Sequence, residues 1–196
     1  MKRIIIAGVV GGVLMFVWGA ISHLATPLGM MGFSQLHDEA TIAAALKSSV
    51  SESGMYIIPG IDMSKAPTAE DMKARDEKAR LGPVAFMVVN PEGREAMSPK
   101  QLGMEFGSNV LGALIAAYML GRVVGNYLSR VAFVMLLGIL GWVSISVSYW
   151  NWFAFSAGFT AAAGIEEGIG WLVVGLAIAW IVPPPRLDGS VTAPDS

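Results

Sequence analysis

The sequence predicts an all-α membrane protein, a four-helix transmembrane bundle with a small α+β extracytoplasmic domain inserted between helices one and two. Three observations predict it. Hydrophobic residues make up 54% of the 196-residue chain and charged residues only 14%, against about 25% charged in an average soluble domain. Apolar runs long enough to cross a hydrocarbon core recur along the chain. Most of the charge is gathered in one stretch, Thr26–Glu105, which holds eleven acidic and eight basic residues. The expected organisation is therefore a first span at 1–25, the outer domain at 26–105, three further spans at 106–183 and a cytoplasmic tail at 184–196.

The first span opens after Lys2 and Arg3, and no charge interrupts Ile4–Leu24. That run covers roughly 30 Å as a helix, the only form that satisfies its own backbone in lipid. It exceeds a signal-peptide core in length, and no A-x-A cleavage site follows, so an uncleaved anchor is expected. Gly8 and Gly12 stand at G-x-x-x-G spacing, which lets a second helix approach closely.

In the outer segment, Pro27, Gly29 and Gly32 mark the exit from the membrane. Asp38–Lys47 reads as a helix with Asp38 as N-cap. Met55–Ile58, between Gly54 and Pro59-Gly60, reads as a strand. Thr68-Ala69-Glu70-Asp71 resembles a capping box opening a charged helix to about Arg80. Val84–Val89 is the second strand. Two strands and two helices of this length are marginal alone, so the domain is expected to lean on the bundle or on a partner.

Ser98-Pro99 starts a helix, serine at the N-cap and proline at N1, that runs without a break into the second span at Phe106–Leu120. Gly112/Ala116, Ala117/Gly121 and Gly121/Gly125 sit at small-xxx-small spacing there, and Gly164/Gly168 in the fourth span. Val131–Val147 is the third span, ending in the interfacial belt Ser148-Tyr149-Trp150-Asn151-Trp152. The fourth ends at Val182, before Pro183-Pro184-Pro185. Lys2, Arg3, Arg122, Arg130 and Arg186 fall on one side of a four-span model, which places both termini in the cytoplasm and 26–105 outside, in the periplasm of a bacterium.

Composition excludes several classes. A formal net charge of −2 argues against nucleic acid. The absence of cysteine removes disulfides, thiolate metal sites and iron–sulfur clusters. The only histidines, His23 and His37, lie in different parts of the chain, and the twelve methionines show no ligand spacing. No G-x-S-x-G, Walker A, H-E-x-x-H or Rossmann glycine pattern occurs. No cofactor and no metal site is expected.

One polar constellation remains. The topology gathers Ser22 and His23 of the first span, Glu105, Ser108 and Asn109 of the second, Ser144 and Ser148 of the third, and Glu166 and Glu167 of the fourth at the outer end. The glutamates lie about 12 Å down the fourth helix if it starts near Gly158, and at the surface if it starts at Ile165. The simpler reading is that these groups hydrogen-bond between helices. The sharper one is a polar pocket that relays a proton, holds a metal or binds a quinone headgroup.

Phe16–His23, Met55–Gly60, Met97-Ser98-Pro99 and Ser144–Trp152 resemble segments of a group of small bacterial inner-membrane proteins with no established activity. The resemblance spans Met1 to about Val182. It implies a bacterial membrane location and four spans, and it carries over no catalytic residue.

The expected function is a non-catalytic accessory subunit of a larger respiratory or photosynthetic type of membrane complex, its partners being membrane lipid and other integral subunits. The alternatives are a stand-alone protein binding a lipid, quinone or metal in the outer pocket, and a small enzyme or transporter using His23 with Glu166 or Glu167.

Overall fold

The computed structural model describes residues 1–62 and 64–185. The chain is mostly helical, with four helices long and apolar enough to cross a membrane and one two-stranded sheet. The four are α1 (Lys2–Ala25), α4 (Pro99–Leu120), α5 (Tyr127–Phe153) and α6 (Ala157–Ile181). Between α1 and α4 come a 3-10 turn (Pro27–Met30), α2 (Glu39–Ser49), β1 (Gly54–Ile58), α3 (Ala69–Leu81) and β2 (Ala85–Val89). The expected tail falls outside the described residues from 186 onward, Arg186 included.

Side chains set the helix starts. Ser98 accepts from the Gln101 backbone at 3.3 Å while Gln101 accepts from the Ser98 backbone at 2.9 Å, a reciprocal cap with Pro99 at N1. Asn126 accepts from Ser129 N at the start of α5, and Ser156 from Phe159 N at the start of α6. The ends are equally local. Ala154 closes α5 in the left-handed conformation, φ 56°, and the proline run follows α6. α5 extends well beyond the apolar core Val131–Val147, because the aromatic belt continues as helix to Phe153.

Packing runs in the order α4–α1–α6–α5, with little contact between α4 and α5. The core lies at one end of this row. Ala7 of α1, Ala113, Ala116, Ala117 and Leu120 of α4, Val131 and Val134 of α5, and Val174, Ile178 and Ala179 of α6, with Val182 beyond it, form one buried cluster. All come from the first turns of α1 and α5 and the last turns of α4 and α6. At this end an added Cβ on Gly12 would lie 2.5 Å from Val110 Cα, and one on Gly8 3.0 Å from Leu114 Cα. Backbones in such contact gain dispersion energy that larger side chains would forbid.

The other small residues divide. Ala116 is buried. A Cβ on Gly112 would lie 3.4 Å from Trp171, one on Gly164 2.8 Å from Trp142, and one on Gly168 an ordinary 3.5 Å from Ile139. Gly121 and Gly125 do not form a helix-packing pair. α4 stops at Leu120, leaving Gly121 as its C-cap and Gly125 in the connector at φ +154°. Gly138, which no small-residue pair marked, packs directly on Trp171.

Arg130, expected only as a topological marker, is the buried charge of the structure, 2% exposed. Its guanidinium donates to Leu120 O at 3.2 Å, Val182 O at 2.8 Å and Ala179 O at 3.5 Å. It thereby completes the carbonyl ends of α4 and α6, where cations are favoured by the helix dipole.

The segment between α1 and α4 is more loosely built. β1 and β2 pair antiparallel from Gly54↔Val89 to Ile58↔Ala85, with α3 between them in sequence. Arg75 Nε donates to Pro59 O at 3.3 Å, joining α3 to the hairpin. Phe86 of β2 rests on Phe153, the last residue of α5, and on Phe155 beyond it, ring centroids 4.6 and 6.3 Å away. Neither α2 nor α3 buries a side chain.

Candidate functional site

At the end opposite Arg130, α1 and α4 part and leave a cleft of about 370 Å³. Helix periodicity selects its lining. Phe16, Gly19, Ala20, His23 and Leu24 recur at i, i+3, i+4, i+7 and i+8 on α1, and Leu102, Glu105 and Asn109 at i, i+3 and i+7 on α4. Met97 and, from α6, Glu166 complete it.

Glu166 is the hub. Its carboxylate accepts a hydrogen bond from Ser22 Oγ and lies 3.0 Å from His23 Nδ1. Its backbone carbonyl accepts from Trp18 Nε1 at 2.9 Å. Ser22 is fully buried, so its hydroxyl needs a partner inside the protein. His23 Nδ1 faces Glu166 Oε1 at 3.0 Å, Ser22 Oγ at 3.0 Å and Gly19 O at 3.1 Å. The tautomer with its proton on Nδ1 suits these oxygens and leaves Nε2 as the free ring nitrogen. That nitrogen makes no hydrogen bond among the described residues. The His23 side chain is 57% exposed and that of Glu166 26%. The arrangement is thus a half-open imidazole–carboxylate pair braced by a buried hydroxyl.

Glu105 and Asn109 bond to each other along α4 at 3.2 Å, and Ser108 bonds back to the Glu105 carbonyl. Neither Glu105 nor Asn109 reaches α1 or α6 by a hydrogen bond, so both keep polar atoms turned to the cleft. Glu167 does not join them. Consecutive helical residues point about 100° apart, and Glu167 accepts from Trp171 Nε1 at 2.8 Å on the α5 side. It lines a second cleft of about 270 Å³ with Gly138, Trp142 and Ser146. α6 begins at Ala157, so Glu166 lies about 13 Å along its axis, near the deeper of the two expected positions.

Ser144 and Ser148 do share a helix face, Ser148 Oγ donating to Ser144 O at 3.2 Å. That face is exposed and enters neither cleft. Ser146, on the opposite side of the turn, is the α5 serine that lines a cavity. His37 is exposed in the segment between α1 and α4. Among the described residues no group of three or more His, Asp or Glu is placed to hold a metal ion.

Trp18 was absent from the sequence-based constellation. Its position one helical turn before Ser22 was the available signal. Chemically, the cleft offers carboxylate acceptors on two helices, one imidazole nitrogen and apolar walls. It lacks a nucleophile paired with a free base: the Ser22 hydroxyl is buried and already engaged by Glu166. No protein-family model matches the chain, and no curated protein or solved structure is significantly similar to it.

Proposed function

We propose that this protein is a non-catalytic accessory subunit of a larger bacterial membrane complex of the respiratory or photosynthetic type. In this reading it lies in the inner membrane with both termini cytoplasmic and 26–105 periplasmic, and it stabilises its partners through helix packing and the outer domain.

The observation that carries the reading is the outer segment's lack of a core. Between residues 26 and 98 only Val50 and Pro59 are buried among the described residues. Phe33 (62% exposed), Met30 (71%) and Leu81 (88%) face outward. Ordering a backbone costs about 1–2 kcal/mol per residue, and burial returns only about 25 cal/mol per Å². A segment that buries so little of itself is stabilised by a surface outside it. A second observation points the same way. Ile5, Val9, Val13, Val17 and Ile21 form an exposed stripe at four-residue spacing along α1, a face for lipid or a neighbouring helix.

The test is purification from native membranes in mild detergent, followed by mass spectrometry and limited proteolysis. Integral membrane companions at fixed stoichiometry, with residues 26–98 protected only in the complex, are expected. A chain that migrates alone with a protease-resistant outer segment overturns the proposal. The topology is checked by reporters fused after Lys47 and after Arg80, which should report the side opposite to one at the carboxyl terminus.

A further inference from the structure

We infer that the α1–α4 cleft is a binding site for the reduced headgroup of a membrane quinol. The space is built in. An added Cβ on Gly19, which lines the cleft, would meet nothing within 4 Å. Seven residues earlier on the same helix, Gly12 touches the α4 backbone. The walls Phe16, Ala20, Leu24, Met97 and Leu102 suit a flat apolar ring and the start of an isoprenoid chain.

The polar groups choose the ligand. Glu166 on α6 and Glu105 on α4 supply carboxylate acceptors, and His23 offers its free Nε2. Asn109 is the only amide, and one of its two Nδ2 hydrogens already goes to Glu105. Acceptors therefore outnumber donors on the lining, which favours a ligand that donates hydrogen bonds. A quinol brings two hydroxyl donors on opposite edges of one ring, whereas a quinone brings only carbonyl acceptors, which the carboxylates would repel. A phosphatidylethanolamine headgroup also donates, but it would set its phosphate beside two carboxylates with no Lys or Arg on the lining. The site binds and orients the quinol.

The experiment uses the full-length protein in phosphatidylcholine nanodiscs, titrated with decylubiquinol and with decylubiquinone by calorimetry. Saturable binding of the quinol is expected, with the quinone weaker by about ten-fold or more, since sites built for hydroxyl donors reject analogues lacking them. Gly19→Leu should fill the open space and abolish binding. Glu105→Gln, whose parent side chain makes no bond to another helix, should weaken quinol binding about ten-fold without disturbing the fold. The inference is overturned if the native protein shows no saturable binding, if both forms bind equally, or if Glu105→Gln binds as tightly as the native chain. It is also overturned if phosphatidylethanolamine nanodiscs displace the quinol, because the occupant is then a lipid ammonium.

Discussion

The two ends of the α1–α4 contact are made from similar glycine-rich helix and behave oppositely. Near Arg130, Gly8 and Gly12 lie against Leu114 and Val110, and all four long helices share one cluster. Near Glu166, Gly19 faces open space and the residues that meet are serine, histidine and glutamate. Spacing alone therefore does not decide whether a glycine marks contact or a gap. What decides is the partner. Alanines at 113, 116 and 117 let α4 come close at one end, while Leu102, Glu105 and Asn109 line an open cleft at the other.

The largest expected effect comes from breaking the closed end. Arg130→Met leaves the last carbonyls of α4 and α6 without their donor in a water-poor site, and should cost about 3 kcal/mol, read as a fall in thermal stability in detergent. Arg130→Lys should recover only part of it, because one ammonium cannot reproduce the planar fork. Next is Gly12→Leu, which must push α1 off the Val110 backbone and should cost about 2 kcal/mol. Gly19→Leu, the same change at the open end, should leave the melting temperature nearly unchanged. If the two leucine variants melt alike, the contrast between the ends is lost.

The His23–Glu166 contact ranks lower. Because His23 and Glu166 are both partly exposed, their coupling in a double-mutant cycle with His23→Ala and Glu166→Gln should be about 1 kcal/mol or less. Smallest is the cap of α3. The Thr68 backbone N–H, helped by the Thr68 hydroxyl, holds the Asp71 carboxyl below its ordinary value. A depressed folded-state value adds stability that is complete above about pH 4. That stability is lost as the pH falls through the lowered value. Protection factors of the amides in the first turn of α3 should therefore fall on acidification below about pH 4, and Asp71→Asn should remove that pH dependence.

Local chemistry made much of this legible from the residues. Thr68 with Asp71, Ser98 with Pro99, and Asp38 are caps whose partners sit three residues away, and these three helix starts lie within a residue of the observed ones, whereas α5 starts four residues before the expected Val131. The apolar runs likewise locate α1 and α4. The site was harder, because it depends on rotation about each helix axis. Glu166 and Glu167 are adjacent in sequence but face different neighbours. Ser144 and Ser148 were on a common face that turns outward. Arg130 looked like a flanking charge because its acceptors, Leu120 and Val182, are backbone carbonyls that no side-chain pattern displays.

The guanidinium also has a bearing on biogenesis. Leu120 is synthesised before Arg130, but the carbonyls of Ala179 and Val182 emerge some fifty residues later. During translation the cation has only one of its three acceptors, so the third long helix must wait, incompletely satisfied, for the fourth. A nascent chain halted short of residue 182 leaves the guanidinium without the Val182 carbonyl, its shortest contact, so the finished fourth helix is what completes its hydrogen bonding.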